Sequence, residues 1–145
     1  MNVEIVNTPF RLDLYGFSAV ALNNDYAGTA FKLSGKSWDT IKANHLKNKG
    51  INIWVYESND MVFAGVELDE IPKPGIDLEQ KSINLDKYAY YKHIGSYKLI
   101  KQAGLSMQNE LKRRGFETSL PYLEIYGHWT NDENRQETEL LVSLK

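Results

Sequence analysis

Tyr122-Leu123-Glu124-Ile125-Tyr126 holds the residues of this chain best suited to chemistry. In an extended strand, successive side chains alternate between faces, so Leu123 and Ile125 share one side and Tyr122, Glu124 and Tyr126 the other. A carboxylate between two phenol rings is costly to desolvate unless it meets a cation or hydrogen-bond donors. The rings add apolar area and a cation–π attraction of about 0.5–2 kcal/mol each. Together they suit a lipophilic, positively charged small molecule, with Glu124 as the anionic anchor.

A second aromatic strand, Ile53-Trp54-Val55-Tyr56, lies seventy positions earlier, Trp54 matching Glu124. Ile53 and Val55 occupy one face, Trp54 and Tyr56 the other, with Asn52 in the same alternation. Tyr91 and Phe63 are further candidates, on strands whose register the sequence leaves open. Nine Tyr and three Trp in 145 residues suit an adaptable pocket or interface.

Other chemistries lack their residues. There is no cysteine, which removes disulfides, thiolate metal sites and a cysteine nucleophile. His45, His93 and His128 have no metal-motif spacing, so neither a metal nor another cofactor is expected. Ser96 follows Gly95 without a nucleophile elbow and serves better as a helix cap. The net charge is −2, from 17 basic and 19 acidic residues, which gives no basic surface for nucleic acid. The run Lys112-Arg113-Arg114 falls at a helix end, where it complements the helix dipole. No segment approaches the roughly 20 apolar residues that cross a bilayer, and no basic, apolar leader opens the chain. A cytoplasmic location is the expectation.

The elements that must hold these residues follow from periodicity. Strands are predicted at residues 3–6, 11–21, 51–57, 61–68, 88–94, 122–128 and 138–144. A helical region is expected over 27–49, interrupted near Ser34-Gly35, with Trp38, Ile41 and His45 on one stripe and Gly50 as its stop. A second helix over 97–114 carries Ile100, Ala103, Met107 and Leu111 on one stripe, capped by Ser96 and closed by Gly115. Pro72-Lys73-Pro74-Gly75 reads as a connector.

The predicted fold is α+β: one domain of two pseudo-repeated βαββ modules, residues 1–70 and 81–145, joined by a linker at about 71–80. Their strands form antiparallel sheet. With helices on the face of Ile53, Val55, Leu123 and Ile125, the opposite faces would enclose a central groove for ligand.

The segments Tyr88-Ala89-Tyr90-Tyr91-Lys92-His93-Ile94-Gly95, Pro121 to Tyr126, and Glu139 to Leu144 resemble the gyrase-inhibitor-like (GyrI-like) effector-binding superfamily. That family includes the drug-sensing domains of MerR- and AraC-type transcription regulators and stand-alone proteins, some on mobile gene cassettes. The resemblance covers the second half well and the first half by pattern. It implies a pair of βαββ modules around a groove, with Glu124 at the base of an aromatic pocket and Tyr126 beside it. No helix-turn-helix occurs in the chain, so a role in transcription would run through a protein partner such as a DNA-binding regulator. The resemblance thus implies a stand-alone sensor of cationic drugs or toxins, monomeric or homodimeric, more readily than an enzyme. Two alternatives remain open at this stage. One is a hydrolase of strained or electrophilic toxins using Glu124, Tyr126 and Trp54; the other is a protein-binding module like the gyrase inhibitors.

Overall fold

A computed structural model describes all 145 residues. Eight strands form a single antiparallel sheet: β1 (Glu4–Val6), β2 (Phe10–Val20), β3 (Ile53–Tyr56), β4 (Met61–Val66), β5 (Glu79–Leu85), β6 (Tyr88–Ile94), β7 (Thr118–Tyr126) and β8 (Glu137–Leu144). Two helices interrupt them, α1 (Tyr26–Ala43) and α2 (Ile100–Arg113). The strand order is β1-β6-β8-β7-β3-β4-β2-β5. At its centre β3 pairs with β7, aligning Ile53 with Ile125, Trp54 with Glu124, Val55 with Leu123 and Tyr56 with Tyr122.

Local chemistry accounts for most boundaries. Asp25 caps α1 by accepting a hydrogen bond from the Gly28 amide, and the helix runs unbroken through Ser34-Gly35. It ends at Ala43, earlier than the predicted Lys49, and His45 takes a positive φ just beyond it. Asn59 and Asp60, both tolerant of positive φ, close the β3–β4 hairpin. Ser96 caps a short 3₁₀ turn, Tyr97–Leu99, that leads into α2. At the other end of α2, Arg113 and Arg114 both bind Glu110, and Arg114 also donates to the Val3 carbonyl. The basic run therefore ties the helix end to the sheet edge.

Two sequence expectations change. Strand β5 begins at Glu79, inside the predicted linker, and pairs with β2, while the N-terminal β1 pairs with β6 of the second half. Each half therefore contributes an edge strand beside the other half's segment. The larger correction concerns the helices, predicted on the face opposite Glu124. Ala30 and Leu33 of α1 belong with Phe17, Val62, Ala64, Trp54 and Tyr56. Ile100, Ala103, Met107 and Leu111 of α2 pack with Ala89, Leu140, Val142, Tyr91 and Tyr122. The helices lie on the aromatic face, the same face as Glu124.

The other face is covered by the sheet itself. Leu14, Ile53, Val55, Phe63, Ile83, Leu85, Leu123 and Leu141 form a buried cluster with no helix in it. The sheet curls, and the rings of Phe10 on β2 and Tyr88 on β6 meet with centroids 5.8 Å apart although four strands separate them in the order. Gly16 and Gly65 face each other where β2 crosses from β5 to β4. A Cβ on Gly16 would stand 2.0 Å from the Ala64 carbonyl oxygen, so no other residue fits that approach.

Candidate functional site

Helix α1 packs over β2 and β4, and α2 over β6 and β8. The central strands β3 and β7 lie between the helices, and the side chains on this strip are Trp54, Tyr56, Tyr122, Glu124 and Tyr126. Register fixes the arrangement, because both strands are central and cannot slip without turning Ile53 or Leu123 out of the opposite core.

Glu124 is only 7% exposed, yet its partners are all neutral. Its Oε1 accepts hydrogen bonds from the hydroxyls of Tyr56 (3.0 Å) and Tyr126 (2.8 Å), and Oε2 accepts one from Tyr122 (3.1 Å). None of the eight ion pairs of the chain involves it. Burial pushes its carboxyl above the ordinary value of 4.5, against the lowering effect of the three hydroxyls. The same burial, with the adjacent negative charge, holds the Tyr56, Tyr122 and Tyr126 hydroxyls far above the usual phenol range, so they act as donors.

The rings pack around this carboxylate. Trp54 lies against Tyr126 with centroids 4.8 Å apart, and Tyr56 stacks on Tyr122 at 5.7 Å. The indole Nε1 of Trp54 is buried and has no hydrogen-bond partner, a condition that costs about 1–3 kcal/mol. Two surface cavities lie away from this cluster. One, of about 510 Å³, runs along Arg11, Asp13, Glu67, Glu70 and Ser82; the smaller is lined by Ser18, Glu57, Phe63 and Lys81.

Of the sequence-predicted residues, Trp54, Tyr56, Tyr122, Glu124 and Tyr126 come together. Tyr91 shares their face but is two strands away from β7 and packs with the α2 core. Phe63 is not among them. It is buried on the opposite face, aligned with Val55. Asn52 is engaged by α1, its side chain accepting from Trp38 Nε1 at 2.5 Å and from the Ser34 hydroxyl at 3.3 Å. His93 is buried and holds the Ser96 carbonyl at 3.2 Å, a structural role.

Two aromatic residues escaped the strand alternation because they sit outside strands. Tyr97, in the 3₁₀ turn before α2, meets the Tyr126 ring edge-on at 5.5 Å. Its amide donates to Gln136 Oε1, which anchors the turn to the start of β8. Tyr26, at the start of α1, meets Tyr56 edge-on at 6.3 Å, and its hydroxyl donates to Asp60. Their positions beside the two helix starts were the available signal. Gly104 in α2 completes the surround: a Cβ there would stand 3.3 Å from the Tyr122 hydroxyl.

Two helices on one eight-stranded antiparallel sheet, with this residue cluster between them, make a fold that several solved structures share. The C-terminal domain of EcmrR has this fold, with a TM-score of 0.72 at 15% identity over 100% of this chain and 99% of that one. In the EcmrR–DNA complex the likeness (TM-score 0.73, 13% identity) spans 57% of the EcmrR chain. SAV2435 bound to tetraphenylphosphonium matches with a TM-score of 0.66 at 17% identity, over 100% of this chain and 94% of that one. A hydrolase from Listeria innocua matches with a TM-score of 0.58 at 10% identity, over 99% and 91%. No protein-family model and no curated protein matches the sequence.

Proposed function

We propose that this protein captures lipophilic cations between its two helices, with Glu124 as the charge anchor. The observation that carries this reading is a buried carboxylate held by three tyrosine hydroxyls with no cation of the protein beside it. Tyrosine hydroxyls orient a carboxylate without cancelling its charge, so a ligand cation supplies the missing partner. Trp54, Tyr56, Tyr122 and Tyr126 supply apolar area and ring faces. The solved complex of SAV2435 with tetraphenylphosphonium, a permanent lipophilic cation on a like fold, supports the ligand class.

In this reading the site is a groove at the seam of two pseudo-repeats. The helix core residues support it, since Ala30, Leu33, Ser37 and Ile41 of α1 each stand seventy positions before Ile100, Ala103, Met107 and Leu111 of α2. The protein is then an effector sensor.

Calorimetric titration of tetraphenylphosphonium into the wild type and into Glu124→Gln tests the reading. Saturable binding that weakens about tenfold or more in the variant is expected, from the loss of a charged partner. Equal affinity for both proteins, or no binding to the wild type, refutes it.

A further inference from the structure

Only two buried side-chain polar atoms in the chain lack a partner, Trp54 Nε1 and Thr138 Oγ1, and both flank Tyr126. Thr138 is aligned with Tyr126 on the neighbouring strand, and the Trp54 ring lies against the Tyr126 ring. Native interiors keep few such orphans, and an indole N–H can only donate. The other tryptophan on this side, Trp38, donates to Asn52. For Trp54 the fold provides no equivalent. The adjacent carboxylate already takes two hydroxyls on Oε1 and one on Oε2.

Resting on the proposed cation site, we infer that the Trp54 N–H is its second recognition point and takes a hydrogen-bond acceptor brought by the ligand. The ligand class is a lipophilic cation that carries a neutral carbonyl-type acceptor on one aromatic arm. Trp54 and Glu124 are direct cross-strand partners, so charge and acceptor are separated by about one aryl ring. Trp54 is partly exposed but its Nε1 is buried, so a shift of the Tyr126 ring accompanies the contact.

The test compares tetraphenylphosphonium with triphenylphosphonium cations bearing an acetyl group at the 2, 3 or 4 position of the fourth ring. At least one acetyl isomer is expected to bind the wild type about three- to tenfold tighter than tetraphenylphosphonium, the gain of one neutral hydrogen bond. In Trp54→Phe the affinity ratio of that isomer to tetraphenylphosphonium falls to about one, whatever the absolute affinities. Independently of any substitution, one indole N–H resonance of the ¹⁵N-labelled wild type moves downfield with that isomer and not with tetraphenylphosphonium. The inference is overturned alone if tetraphenylphosphonium binds and no isomer gains, if the gain survives in Trp54→Phe, or if no indole resonance discriminates. Failure of every cation to bind the wild type overturns the cation site along with it.

Discussion

Trp54 and Glu124 face each other as aligned partners across the β3–β7 junction, where the strands of the two halves of the chain meet. An indole with an unpaired N–H thus adjoins a buried carboxylate with no cation. Both are unfavourable for folding; in the proposed complex a ligand's positive charge would compensate the carboxylate, and a ligand acceptor would satisfy the indole. If the site binds cations as proposed, it stores its binding capacity as local instability.

That instability has a measurable sign. Glu124 titrates above 4.5 in the folded protein, so its contribution to stability is present below the unfolded value and is lost as pH rises through the folded one. Ligand-free Glu124→Gln is therefore expected to melt at a higher temperature than the wild type at pH 7. The difference should shrink towards pH 4.5. Calorimetric melting at a series of pH values checks this, and a lower melting temperature for the variant at pH 7 would contradict it.

Binding should depend on pH in the complementary direction. Tetraphenylphosphonium keeps its charge at all pH values, so its affinity follows the ionisation of Glu124 alone. Affinity is expected to fall as the solution is acidified, with a midpoint above 4.5. Replacing Tyr126 with Phe removes the shortest hydrogen bond to the carboxylate, at 2.8 Å, and should move that midpoint higher. A flat pH profile would separate the carboxylate from binding.

Gly104 sits mid-helix, where glycine is about 0.8–1 kcal/mol less favourable than alanine. The added methyl of Gly104→Ala would press on the Tyr122 hydroxyl from 3.3 Å and push it from Glu124. We expect equal or higher thermal stability together with about threefold weaker tetraphenylphosphonium binding, the worth of one weakened hydrogen bond. A gain in both stability and affinity would rule out this role for Gly104.

Phe63 provides the opposite pattern. It lies in the core on the far side of the sheet, 3% exposed. Phe63→Leu should cost about 1–2 kcal/mol in urea denaturation through imperfect refilling of that core. Tetraphenylphosphonium affinity at 20 °C should change less than about twofold, since no site residue touches the vacated volume. A large loss of affinity would return Phe63 to the site.

Much of this was legible in the sequence. Strand alternation alone placed Trp54, Tyr56, Tyr122, Glu124 and Tyr126 on matching faces, because a side-chain period of two is a property of the backbone. Helical spacing marked Ile100, Ala103, Met107 and Leu111 as the buried stripe of α2, and all four are buried. Tyr97 and Tyr26 were missed because turns and helix starts carry no alternation from which a facing direction can be read. The short strand Glu79–Leu85 overlaps the predicted linker and carries little apolar alternation, since only Ile83 and Leu85 of its side chains are buried.

Periodicity in the sequence carried seven of the eight strands, both helices and the shared face of Trp54, Tyr56, Tyr122, Glu124 and Tyr126. It did not determine which face the helices cover. Both faces of β3 and β7 are rich in apolar atoms, so helix packing satisfies either equally well at the level of pattern. The choice was made by the curl of the sheet, which closes Phe10 against Tyr88 and buries Ile53, Val55 and Leu123 without any helix. With that face filled by the sheet's own side chains, α1 and α2 could only pack on the aromatic side. Their separation on that side leaves Glu124 and its tyrosines on the strip between them.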